Sequence, residues 1–134
     1  MRITIPAVAA LATLTALSVP TLAAGWEDLL SKGYAACLNK PDASTQSMVE
    51  CIDAEVRIQD GKLNAAYKTA MASLPKDQQE KLRASQRAWL EFRKLDCDVF
   101  YGEQTGTIAR LESNQCFLRK TAERADELAA FSEN

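Results

Sequence analysis

Histidine is absent from all 134 residues. That absence removes the Ser-His-Asp triad, the Cys-His pair and every His-ligated zinc or haem site. Neither a GxxxxGKS/T loop nor a GxGxxG loop occurs, so the usual backbone cradle for nucleotide phosphates is missing. No EF-hand spacing is present either. Glycine and proline are scarce, at five and four, and no β-branched run alternates with period two, which argues against strands. Charge of neither sign prevails: 16 Lys and Arg stand against 18 Asp and Glu. That balance is too even for the broad basic face of a nucleic-acid binder. No enzymatic activity, no cofactor and no metal are therefore expected. The length corresponds to one domain.

The start of the chain reads as an address. Arg2 is the only charged residue before Glu27, and the apolar stretch Ala7 to Val19 is followed by Pro20 and Thr21-Leu22-Ala23-Ala24. A positive start, a short apolar run and small residues before a cut describe a secretory signal peptide. A membrane-spanning helix needs about 20 apolar residues, and Pro6 and Pro20 bracket fewer. Cleavage after Ala23 or Ala24 is expected, dividing the sequence into a signal peptide, 1–24, and a single helical domain, 25–134. The mature chain is then periplasmic or secreted and holds to no membrane.

From Gly25 onward the apolar residues recur at three and four, the helical period. The spacing predicts a first helix over about 26–38, with Trp26, Leu29, Leu30, Tyr34, Cys37 and Leu38 on one side. Pro41 lies beyond its end. A second helix starts near Thr45 or Ser47, where Ser47-Met48-Val49-Glu50 has the form of a capping box. Its stripe is Met48, Ile52, Val56, Leu63, Tyr67, Ala70, Met71 and Leu74. Gly61 falls inside it, at a cost of about 1 kcal/mol relative to Ala, and gives the helix a place where it can bend. Ser73-Leu74-Pro75-Lys76 makes a turn into a third helix, about 76–99. A fourth begins near Thr107 and carries Ile108, Leu111, Leu118, Ala122, Ala125 and Leu128. The fold class is all-α: a small disulfide-stapled bundle of about four helices built from antiparallel hairpins.

Four cysteines behind a signal peptide read as two disulfides. The gaps between them offer no CxxC pair for a metal. Helices two and three rise and return over similar lengths at about 1.5 Å per residue, which brings Cys37, Cys51, Cys97 and Cys116 to the same end of the bundle. Geometry alone leaves all three pairings open. Proximity in sequence favours Cys37–Cys51 and Cys97–Cys116.

On the third helix, Leu82, Gln86, Trp89, Arg93 and Asp96 fall near one line. Trp89 reads as a core anchor, while Gln86 and Arg93 occupy positions where a simple amphipathic helix carries Leu. A buried polar network would explain them, with Arg93 bridging Asp96 or reaching Asn64 or Tyr67. A recognition surface, with Arg beside Trp, is the alternative.

The run Gln86-Arg87-Ala88-Trp89-Leu90-Glu91-Phe92-Arg93, with Cys97 four residues on, resembles the signature of the lysozyme inhibitor LprI-like N-terminal domain family. Thr45-Gln46 before Cys51, Leu63-Asn64 with Tyr67, and Gly106-Thr107 before Cys116 are similar to further elements of that family. Thr121, Arg124 and Leu128 resemble its closing TxxRxxxL pattern. The likeness runs from Cys37 to Leu128. In one respect the chain differs: the paired glycines usual before the Ser/Thr are here separated, as Gly102 and Gly106. The resemblance implies a small exported bacterial helical protein, with lysozyme inhibition attached through a founding member.

Two functions of different class follow. The first is an exported protein-binding module whose partner is a lysozyme. Its candidate contact is the loop Tyr101-Gly102-Glu103-Gln104-Thr105-Gly106-Thr107. Residues 25–60 carry seven acidic and three basic side chains, so Glu50, Asp53, Glu55 and Asp60 form either a face steering toward a basic lysozyme or an ordinary solvated helix surface. The second is an envelope structural or stress-response interaction protein with no lysozyme role. Capture of a lytic enzyme rather than assembly factors from periplasmic extract separates them.

Overall fold

A computed structural model describes residues 25–101 and 106–131. The proposed signal segment and residues 102–105 of the glycine loop lie outside the described residues. Those described form a short 3-10 turn, Trp26–Leu29, and four helices: α1 Lys32–Leu38, α2 Thr45–Ser73, α3 Lys76–Asp98 and α4 Thr107–Ala130. Among them there is no strand, and no helix is long and apolar enough to cross a membrane.

The chain runs up α2, back along α3 and up again along α4. Successive helices form antiparallel hairpins, yet the most extensive packing joins α4 to α2, which run parallel. Their shared direction shows in two contacts. Asn114 Nδ2 donates to Asp53 Oδ1 at 3.1 Å near the start of both helices, while Ala70 and Leu128, near their ends, belong to the same core cluster. Small residues on this interface, Ala70, Ala122 and Ala125, are all buried and let the two backbones approach closely. Leu63, Ala70, Leu82, Ala125 and Leu128 form the core cluster, with Tyr67, Met71, Leu74 and Trp89 packed around it. The 3-10 turn lies on α4, and α1 lies on α2.

Both disulfides join the pairs favoured by proximity. Cys37–Cys51 ties α1 to α2 across a Cα separation of 5.8 Å, and Cys97–Cys116 ties α3 to α4 across 5.6 Å.

Three local expectations are revised, those on the first helix, the cap of α2 and Ile108. The first helix is not continuous, because Leu30 and Ser31 are extended between the 3-10 turn and α1. The backbone there is held by α2 instead of by helical bonds. Ser31 donates its N–H to Glu55 Oε1 at 2.8 Å, and the Leu29 carbonyl accepts from Gln59 Nε2 and Lys62 Nζ, each at 3.0 Å. The cap of α2 is Ser44, whose side chain accepts from the Ser47 amide while the Ser47 hydroxyl accepts from the Ser44 N–H. Ser47 is thus the third residue of the capping box, not its first. Helix α2 passes through Gly61 without a break, and a Cβ there would meet no atom within 4 Å. Ile108, assigned to the apolar stripe of the fourth helix, is 66% exposed; Ala109, Ser113 and Thr121 are buried instead.

Candidate functional site

Helix α3 turns Leu82, Gln86, Arg93 and Cys97 inward, and all four are buried. Trp89, between them on the same face, is half-buried against the core cluster. Arg93 is the centre of this arrangement. Its Nη1 donates to Thr121 Oγ1 on α4 at 2.8 Å and makes a long 3.5 Å contact with Asp60 Oδ1 on α2. The Thr121 hydroxyl donates onward to the Phe117 carbonyl at 2.6 Å. The guanidinium lies over two rings, 3.9 Å from the Phe117 centroid and 4.8 Å from that of Trp89, which recovers part of the desolvation cost through the negative ring faces. Burial pulls the Arg93 pKa below its ordinary value, and the Asp60 charge and hydrogen bond oppose that pull. Arginine so placed still carries its charge at neutral pH. Its Nε is buried without a hydrogen-bond partner.

The partners differ from those suggested by the sequence. Asp96 is engaged by Lys120 at 2.9 Å, not by Arg93. Neither Asn64 nor Tyr67 bonds Arg93, although both face it across a groove that Gln86 also lines. Arg124 on α4 supplies a second cation: its Nε donates to Gln86 Oε1 at 3.1 Å, and its guanidinium stands 5.9 Å from the Trp89 centroid. Three residues of the closing TxxRxxxL pattern thereby have separate tasks. Thr121 accepts from Arg93, Arg124 holds Gln86, and Leu128 is wholly buried in the core.

Glu55 is the residue the sequence placed least well. Neither a steering face nor a solvated surface describes it, for it is 2% exposed. Its carboxylate accepts from the Ser31 N–H and hydroxyl and from Gln59 Nε2 at 2.7 Å. Burial alone would raise its pKa, but the bonds from Ser31 and Gln59 and the charge of Lys62 outweigh that, and it titrates below its ordinary value. The signal was present: positions 52, 55, 59 and 63 share one helical face, so Glu55 and Gln59 line up with Ile52 and Leu63. Asp60 is also withdrawn from the steering face by Arg93, leaving Glu50 and Asp53 exposed there.

On either side of Cys97 the outer face of α3 is apolar. Phe92, Leu95 and Val99, at helical spacing on one face of α3, are 52%, 56% and 76% exposed. Tyr101 and Ile108 stand exposed on either side of the glycine loop. Of that loop, Tyr101, Gly106 and Thr107 are described, and Gly106 caps α4. Asp96, Cys97 and Cys116 form a cluster of potential metal ligands among the described residues. Both sulfurs are committed to the disulfide and Asp96 to Lys120, so the cluster offers no thiolate.

The model of the lysozyme inhibitor LprI family matches residues 37–128. No curated protein matches the chain. Among solved structures, an uncharacterised protein from Burkholderia thailandensis is similar, with a TM-score of 0.65 and 26% identity over 84% of this chain. The match covers 56% of that protein, so the chain spans little more than half its length. With the family model matching from Cys37 to Leu128, across both disulfides and all three long helices, this chain belongs to the LprI lysozyme inhibitor family.

Proposed function

We propose that residues 1–24 are removed on export and that residues 25–134 act as a single protein-binding domain that inhibits a lysozyme by blocking its cleft. A lysozyme cleaves its substrate with two carboxylates in an open groove. An inhibitor therefore needs shape and apolar contact more than chemistry of its own. The observation that carries this reading, beside the family, is the apolar surface of Phe92, Leu95, Val99, Tyr101 and Ile108 leading to and flanking the glycine loop. Exposed apolar side chains at helical spacing along α3, such as Phe92, Leu95 and Val99, are the kind of surface a partner covers. The loop 101–107 is the inserting element, with Val99 and Ile108 as its collar. Steering toward a basic enzyme falls to Glu50 and Asp53, with the net negative charge of the chain behind them.

The test is an activity assay with purified, oxidised residues 25–134 against lysozymes of several structural classes. Inhibition of at least one class at micromolar concentration, weakened by added salt, is the expected result. Absence of inhibition in every class contradicts the proposal and favours an envelope interaction role.

A further inference from the structure

Helices α2 and α3 each pack on α4 more closely than on one another, leaving an open groove of about 300 Å³ between them. Its walls are rich in hydrogen-bond donors that the protein itself does not use. Arg83 and Arg87 stand one turn apart on the groove side of α3, exposed, and among the described residues neither has an ion-pair partner. At that spacing two guanidinium forks can hold neighbouring carboxylates. Deeper in, Gln86 is 7% exposed; its Oε1 is engaged by Arg124, while its amide nitrogen has no partner among the described residues. The side chains of Asn64 and Tyr67 on the opposite wall also make no hydrogen bond among the described residues. The Gln86 amide is not among the buried unpartnered atoms, so its N–H groups open onto the groove, where water now accepts from them and a ligand carbonyl can replace it.

One acceptor lies in the groove, the half-exposed Asp60 beside Arg93. Three guanidinia thus face one carboxylate, in a chain whose overall charge is negative. The positive charge is local, so the ligand is anionic and small in cross-section. Asp60 repels a doubly charged phosphate but accepts from a peptide N–H. Leu63 and Leu90 add apolar wall for a side chain. We infer that this groove binds a short acidic peptide segment of a partner protein. The carboxylates of the segment rest on Arg83 and Arg87, and its backbone is read by Gln86 and Asp60. The site is distinct from the glycine loop and its collar, and stands whether or not the chain inhibits a lysozyme.

The probe is a fluorescein-labelled hexaglutamate peptide, followed by anisotropy with residues 25–134. Saturable binding that weakens with sodium chloride is expected, displaced by unlabelled hexaglutamate and not by hexaglutamine. Arg83→Ala with Arg87→Ala should weaken it at least tenfold without moving the unfolding midpoint, since both side chains are exposed and unpaired. Arg83→Lys with Arg87→Lys keeps the charge and should fall between the two. Arg110→Ala with Arg119→Ala, a control pair on α4 outside the groove, should change affinity less than twofold. Failure of the peptide to saturate overturns the inference. So does equal weakening by the control pair, which would mean diffuse attraction, or displacement by inorganic phosphate as readily as by hexaglutamate, which would mean a general anion site.

Discussion

At the scale of single residues, two buried charges hold the molecule in register. Arg93 bonds a threonine on α4, reaches an aspartate on α2 and stacks on two rings. Truncation removes all of these, although Asp60, half-exposed, can return to water. Arg93→Ala should therefore cost about 3 kcal/mol, near the lower end for breaking a buried pair, read as a lower urea midpoint. Glu55 acts in the same way on the N-terminal segment. Its folded pKa lies below the unfolded value, so its contribution is full above about pH 4.3. It is lost as pH falls through the lowered folded value. The urea midpoint of the wild type should drop between pH 5 and pH 3 by more than that of Glu55→Gln. Parallel curves for the two proteins would show that Glu55 is not the titrating clamp. Sequence alone marked Arg93 as exceptional because it interrupts an apolar line. It did not supply the partners, since Thr121, Phe117 and Asp60 come from helices whose rotation is set only when the bundle packs.

At the scale of elements, long-range order and local order separate cleanly. Three long helices were readable from periodicity, the Leu74-Pro75 turn and Gly106, because those signals act within a few residues. The break between the 3-10 turn and α1 was not, because it is imposed from α2 by Glu55, Gln59 and Lys62, 24 to 33 residues away. The short α1 has no buried residue and depends on its staple. Cys37→Ala with Cys51→Ala should lower stability by about 3 kcal/mol by the loop-entropy argument. Circular dichroism should then show α2 to α4 retained. Gly61 offers the opposite change. It is exposed in the middle of α2 with open space at its Cβ, so Gly61→Ala should raise stability by about 1 kcal/mol. In a domain this small that corresponds to a rise of roughly 4 °C or more in Tm.

At the scale of the whole molecule, the absence of histidine and the presence of two disulfides suit a protein that works through its surface. That surface is divided. Exposed apolar side chains lie at the end of α3 and the start of α4, a guanidinium-lined groove separates α2 from α3, and acidic side chains lie toward the start of α2. The family motif supplied Asn64, Tyr67, Gln86 and Arg93 but no groove, because these residues line a common groove only in three dimensions. The apolar end was harder to read, because Val99 and Ile108 look like core residues until the packing leaves them outside. The most direct measurement compares lysozyme inhibition by residues 25–134 with that of the Val99→Asp, Ile108→Asp variant, whose substitutions lie at exposed positions and should leave folding intact. The wild type should inhibit at micromolar concentration and the variant should be at least tenfold weaker. Equal inhibition by both would contradict the placement of the contact surface, and no inhibition by the wild type would contradict the function itself.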